Sequence, residues 1–146
     1  MLDDAFEIMN ISASAMSAER RRMGLIANNI ANTNTTRGAN GEPYRRKYAI
    51  FKTLLDKNIA DIDDAGSLKE KGVVLDRVET DTSPFLSVYD PNHPDADDKG
   101  FVQYPNINLV EEMVDLVASS RAYEANVKVM MATKSMMNKA LELLKI

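Results

Sequence analysis

The apolar spacing of its last third constrains this chain more than any other feature. From about Asn108 to Ile146, Leu109, Met113, Leu116, Ser120, Tyr123, Val127, Met130, Lys134, Met137, Leu141 and Leu144 follow one another at steps of four or three. That is heptad spacing, sustained over about five repeats, and it places the set on one helical stripe. Only Ser120 and Lys134 interrupt it. Val110, Val114, Val117, Val129, Met136, Ala140 and Leu143 widen the stripe. Asn108 followed by Glu111 has capping-box spacing. Glu111, Glu112 and Asp115 open the helix and Lys139 and Lys145 close it, the order the helix dipole favours. About 38 residues at about 1.5 Å each make roughly 57 Å of helix. A compact globule of this length is only about 38 Å across. The helix therefore overhangs any core its own chain can build.

A second helix is expected from Met1 to about Ala31. Leu2, Phe6, Met9, Ala13, Met16, Met23, Ala27 and Ile30 form its stripe, broken only by Arg20. The run Asn32-Thr33-Asn34-Thr35-Thr36-Arg37-Gly38 then stops it, because Asn and Thr side chains compete for backbone hydrogen bonds and Gly38 permits positive φ. At roughly 45 Å this helix covers part of the longer one. Two helices bury one stripe of each, so the flanking Val and Met residues need neighbouring chains as cover. Burying one Leu or Met is worth about 1.5–3 kcal/mol, against about 1–2 kcal/mol to order each backbone residue. The isolated monomer is thus expected to have frayed termini that assembly orders.

All five prolines lie between Gly41 and Pro105, which makes the middle an extended region rather than a third helix. Tyr44 to Leu54 and Gly72 to Tyr89 read as extended. In the latter, Val73-Val74-Leu75 and Phe85 to Tyr89 are strand candidates separated by a turn at Glu79 to Pro84, and Phe101 to Tyr104 is a third. Lys52 to Asp64 is open between helix and loop. The expected fold is mainly α: two long terminal helices packed as an elongated antiparallel coiled-coil-like pair, with an extended middle carrying a small β-hairpin or sheet. The expected division is 1–36, 37–105 and 106–146, with the first and last parts forming one helical core.

Chemistry is sparse. The chain has no cysteine and one histidine, which excludes disulfides, thiolate catalysis and His-pair metal sites. A net charge of −4 argues against a broad nucleic-acid face. Asp95-Ala-Asp97-Asp98-Lys-Gly100 has a faint calcium-loop pattern, but Asn106 stands where the bidentate Glu belongs; a solvated turn fits better. His93, between Asn92 and Pro94, reads as a turn residue. Arg20-Arg21-Arg22 and Arg45-Arg46-Lys47 suit a protein interface, where Arg is enriched. No catalytic residue, cofactor or metal site is expected. All nine methionines lie in the two helical zones. They serve either core packing or surfaces that must fit several different neighbours. No apolar run reaches the roughly 20 residues that span a bilayer. The N-terminus, MLDDAFEIMN, lacks the basic and apolar regions of a cleavable signal peptide.

Ala27-Asn-Asn-Ile-Ala-Asn-Thr-Asn-Thr-Thr36, after an amphipathic helix, resembles the N-terminal signature of the flagellar rod and hook axial family. The runs Asp90 to Asp115 and Ser119-Ser-Arg-Ala-Tyr-Glu-Ala-Asn126, with Ala132-Thr-Lys-Ser-Met-Met137, resemble its proximal rod members. The likeness covers nearly the whole chain and implies a structural subunit of the rod of the bacterial basal body. It implies export by the flagellar type III apparatus without a cleavable signal, and a place in the rod that crosses the periplasm. It also implies terminal helices that form a tube around the export channel. The implied partners are neighbouring copies, other proximal rod proteins, the adaptor joining rod to membrane ring, and the distal rod protein; nucleic acid is not among them.

On that reading Phe6, Met9, Met16, Met23 and Ile30 form one assembly seam. Leu109, Met113, Leu116, Tyr123, Val127, Met130, Met137, Leu141 and Leu144 form the matching one. Asn28, Asn29, Asn32, Thr33 and Thr36 end the first helix and bond its following loop. Arg121 and Glu124 are either intersubunit charges or a solvated i,i+3 pair. The alternative from another class is a soluble coiled-coil adaptor or regulator, which explains the heptads but not the Pro-rich middle.

Overall fold

The computed structural model describes residues 2–38, 40–55 and 70–143. Two helices dominate: α1, Leu2–Ala31, and α2, Leu109–Leu143. They run antiparallel, so that Asn29 near the end of α1 meets Glu112 near the start of α2. Strand β1, Lys47–Leu55, pairs antiparallel with β2, Glu70–Thr80. Strand β3, Leu86–Tyr89, pairs antiparallel with β4, Phe101–Tyr104. The expected mainly α architecture is therefore present. α1 packs against α2 and against both β1 and β2, whereas among the described elements α2 packs only along α1.

The end of α1 is built by the side chains that the Asn/Thr run supplies. Asn28 Nδ2 donates to Gly24 O and Asn32 Nδ2 to Asn28 O. Thr33 Oγ1 donates to the Ile30 carbonyl at 2.9 Å. Asn28 O and Ile30 O are among the last carbonyls of the helix, and they also accept from the N–H groups of Asn32 and Thr33. Thr36 Oγ1 then reaches Asp95 Oδ2 at 2.8 Å and ties the turn to the distant polar loop. The left-handed glycine of this turn is Gly41, with φ of 78°, rather than Gly38. Asn108 caps α2 by accepting from Val110 N–H, one position earlier than the Glu111 N–H of a capping box.

The strands differ from expectation in their partners. A single hairpin turning at Glu79 to Pro84 does not form. Glu79 and Thr80 instead continue β2, opposite Tyr48 and Lys47. The last bond beside this ladder is from Asp81 N–H to Arg46 O; Asp81 Oδ1 then accepts from Ser83 N–H and turns the chain, and β3 starts a second sheet that pairs across the polar loop. That loop closes on itself. Asp90 N–H donates to Gly100 O at 2.9 Å, and Asp97 Oδ1 accepts from the N–H groups of both Lys99 and Phe101. Gly100, with φ of 79°, completes the turn. Of the ambiguous stretch from Lys52 to Asp64, Lys52 to Leu55 is strand; the remainder lies outside the described residues.

The buried line of α2 is Glu112, Ser119 and Thr133, spaced by seven or fourteen, with Asn126 half-buried in the same row. Leu116, Tyr123, Met130 and Met137 flank it, each half-buried. On α1 the buried line holds Ser12, Ala18, Ile26 and Asn29, beside half-buried Met9, Met16, Met23 and Ile30. The half-buried residues of each stripe thus lie along the helix pair, and the alternate residues of the same stripes do not. Phe6 and Ala13 on α1, and Leu109, Met113 and Leu141 on α2, face outward. The physical reason is that small or hydrogen-bonding side chains let the helices approach closely, while the second apolar row lies outside the pair. Leu144 lies outside the described residues.

Candidate assembly interface

Two things define the surface this chain offers: a polar hub that fixes the two helices, and apolar ridges that the hub leaves outside. The hub centres on Asn29, 1% exposed, and Glu112, fully buried. Asn29 Nδ2 donates to Glu112 Oε2 at 3.0 Å and to Lys47 O at 2.8 Å. Its Oδ1 accepts from Lys47 N–H at 3.0 Å and from Tyr44 OH at 3.1 Å. All four hydrogen-bonding positions of the amide are filled. Glu112 Oε1 accepts from Arg46 Nε at 2.5 Å, and Arg46 Nη2 lies 3.6 Å from Asp115. Burial alone would lower the Arg46 pKa; the Glu112 hydrogen bond, with the charges of Glu112, Asp115 and Asp81, outweighs it and raises the value. Burial, then the Glu112 charge, raises Tyr44. One cluster therefore joins α1, α2 and the start of β1.

The basic cluster Arg45-Arg46-Lys47, expected at a protein interface, is largely engaged within the chain. Arg45 Nη1 donates to Ser83 O at 3.0 Å, and its guanidinium sits 4.0 Å from the Phe85 ring centroid. Arg46 is held in the hub. Arg20, Arg21 and Arg22, by contrast, are exposed on α1. The acidic loop uses its carboxylates for its own turns and for Thr36 and Arg37, and His93 Nδ1 accepts from Asp95 N–H.

Outside the hub, the first turns of α2 carry a bare ridge: Val110 is 68%, Met113 56%, Val114 63% and Val117 52% exposed. Leu109 borders it. Toward the other end of α2, Val129, Met131, Met136, Leu141 and Leu143 are exposed, and on α1 Phe6, Ile8 and Ile11 are exposed as well. Arg121 and Glu124 are both exposed between these zones, and Val127 is half-buried. Asn28, Asn32, Thr33 and Thr36 all sit at the α1 terminus, where the sequence placed them. Glu112, Arg46 and Tyr44 were missed as members of the hub. The available signal was the polar row at seven-residue spacing, which reads as a solvated face when apolarity alone is scored.

Residues 9–39 match the family model described as flagella basal body rod protein, and residues 98–143 match that of the C-terminal part of the flagellar basal body rod FlgEFG proteins. The chain is 45% identical over 150 aligned positions to the flagellar basal-body rod protein FlgC of Bacillus subtilis, covering 95% of this chain and 97% of the relative. It is 43% identical to FlgC of Borreliella burgdorferi with the same coverage, and 40% identical to that of Escherichia coli O6:H1, covering 93% and 95%. The chain belongs to the FlgC family of flagellar basal-body rod proteins. As a FlgC-family chain it is a structural subunit of the basal-body rod and serves motility there, together with other rod and basal-body components. The two matched segments contain Asn29 and Glu112, so the hub bridges both family signatures. Among the described residues no helix is long and apolar enough to cross a membrane.

Proposed function

We propose that this FlgC-family subunit polymerises through its terminal helices into the axial drive shaft, with the helices forming the wall of an export channel. The observation that carries this reading is the inverted burial of α2. Its buried residues are Glu112, Ser119 and Thr133, while Val110, Met113, Val114, Val117, Met131, Met136 and Leu143 are exposed. A helix that keeps its polar row inside and its apolar rows outside is built for cover from neighbouring chains. The seam residues named from the sequence then divide by task. Met16, Met23, Leu116, Tyr123, Met130 and Met137 serve the pair itself, and Phe6, Leu109, Met113 and Leu141 serve its neighbours. Residues 1–36 and 106–146 act as one helical core and 37–105 as its attached middle part. The role is mechanical and non-catalytic. The partners in this reading are neighbouring copies, the other proximal rod proteins, the ring-to-rod adaptor, the distal rod protein and the type III export apparatus.

Electron microscopy of basal bodies from a strain lacking the gene, beside a complemented control, tests it. Rods missing above an intact membrane ring are expected. Intact rods in motile cells that hold no second copy of the gene would overturn the assignment.

A further inference from the structure

Asn40 is the one asparagine in the sequence that precedes a glycine. It lies in the turn between α1 and β1 and is exposed, as are Gly41 and Glu42. Asparagine side chains elsewhere are held: those of Asn28, Asn29 and Asn32 bond at the end of α1, and those of Asn106, Asn108 and Asn126 bond around and along α2. Among the described residues the Asn40 amide makes no hydrogen bond. Gly41 has φ of 78°, and nothing stands within 4 Å of a Cβ placed on it, so the peptide after Asn40 stands in open space. Two backbone bonds close this turn. Gly38 N–H donates to Glu42 O at 2.7 Å, and Gly41 N–H donates to Gly38 O at 3.0 Å. Just beyond, Tyr44 N–H donates to Thr35 O at 3.1 Å, and the Tyr44 hydroxyl reaches Asn29 in the hub.

We infer that Asn40–Gly41 is a self-modifying site: the chain converts Asn40 to isoaspartate and aspartate with water as co-reactant, and the isoaspartyl form unties the Gly38–Glu42 turn. The Gly41 amide nitrogen loses its proton to solvent, and its electron pair attacks Asn40 Cγ. The bond from Cγ to Nδ2 breaks, and Nδ2 takes up a proton and leaves as ammonia. Water then opens the five-membered imide. Its oxygen bonds to one ring carbonyl carbon, the matching C–N bond breaks, and a proton returns to the nitrogen. Opening at Cγ gives aspartate. Opening at the main-chain carbonyl gives isoaspartate, whose backbone runs through the side chain and is one methylene longer. Nothing is oxidised or reduced. Glycine at 41 favours the ring, because no side chain crowds the attacking nitrogen. The Gly41 N–H bond to Gly38 O must open first, and an exposed turn outside helices and strands opens at little cost. The added methylene falls inside the loop that both turn bonds close, so neither keeps its geometry.

The test ages the purified full-length chain for days in warm neutral buffer. Trypsin then frees residues 38–45, bounded by Arg37 and Arg45. This fragment should gain the mass difference between an amide and an acid about tenfold or more faster than a fragment carrying any other asparagine, which is about 1.4 kcal/mol or more in barrier. A methyltransferase specific for isoaspartyl carboxyls should label it. Asn40→Gln, whose side chain needs a six-membered ring for the same attack, should stay unmodified and unlabelled. In the isoaspartyl chain, resolved by its own amide resonances, Gly38 and Gly41 should exchange with solvent deuterium faster than in the fresh chain. An Asn40→Asp chain has the same added charge and an ordinary backbone, and should keep both amides protected. A 38–45 fragment that retains its amide mass, or gains spread evenly over the other asparagines, would overturn the site. An isoaspartyl chain with Gly38 and Gly41 as protected as before would overturn the untying.

Discussion

Replacing Asn29 by Ala probes the hub most directly. Four hydrogen bonds vanish: two donated to Lys47 O and Glu112 Oε2, two accepted from Lys47 N–H and Tyr44 OH. A protein hydrogen bond is worth about 1 kcal/mol net, giving an upper figure of about 4 kcal/mol. Lys47 is exposed and Tyr44 half-buried, so water can rescue part of their loss. Glu112 is fully buried but keeps Arg46. The expected cost is about 2–4 kcal/mol, or about 8–15 °C in melting temperature for a chain of this size. Asn29→Asp is sharper. It keeps both acceptor bonds, loses both donors and sets a carboxylate where the amide now lies 3.0 Å from a Glu112 oxygen. Two carboxylates at that spacing repel and raise the pKa of one of them. A carboxyl whose folded pKa is raised contributes stability that is present at low pH and lost as pH rises through that value. The Asp variant should therefore be less stable than the Ala variant at pH 7 and overtake it on acidification. Urea unfolding of the purified chains by far-ultraviolet circular dichroism, between pH 4 and 8, reads both effects. A cost below about 0.5 kcal/mol for Asn29→Ala, or a pH-independent difference between the two variants, would refute the reasoning.

Three further outcomes are expected. Gly72→Ala should destabilise the docking of β2 on α1 by about 2 kcal/mol or more, since φ is 129° and a Cβ would collide with Ser14 Oγ, which accepts from Val73 N–H; an unchanged urea midpoint would count against that packing. Acid should loosen the β1–β2 hairpin first. The Lys52 and Arg77 hydrogen bonds lower the Asp76 pKa, those from Arg77 and Tyr48 lower Glu79, and the Ser83 bonds lower Asp81. A depressed carboxylate contributes stability above its unfolded pKa and loses it as pH falls through the folded value, so amide exchange in Lys47–Leu55 and Glu70–Thr80 should rise below about pH 4 before that of α1 and α2. Met137→Asp sets a charge into the half-buried row of α2 and should abolish swimming on soft agar; normal swimming would remove Met137 from the packed seam.

The sequence alone determined the two helices, their approximate ends and the elongated proportions. Each of those follows from local periodicity, capping side chains and the plain length of a helix, and none needs a long-range contact. The Asn/Thr stop after α1 was legible for the same reason, because Asn28, Asn32 and Thr33 bond carbonyls only three or four residues away. What the tertiary structure decided was partnership. Val73 and Val88 look alike in sequence, yet one strand pairs with β1 and the other with β4, because the Asp81–Ser83 turn follows the first ladder and the closed Asp90–Gly100 loop joins the strands of the second. Which rows of the helices face each other was also decided there. Heptad spacing names a stripe only to within one neighbouring row. The choice went to Glu112 and Asn29 over Met113 and Ala27 because Arg46, Lys47 and Tyr44 arrive from a separate part of the chain to complete their hydrogen bonds. A buried carboxylate is tolerable only where such partners converge, and convergence of distant residues is a property of the fold.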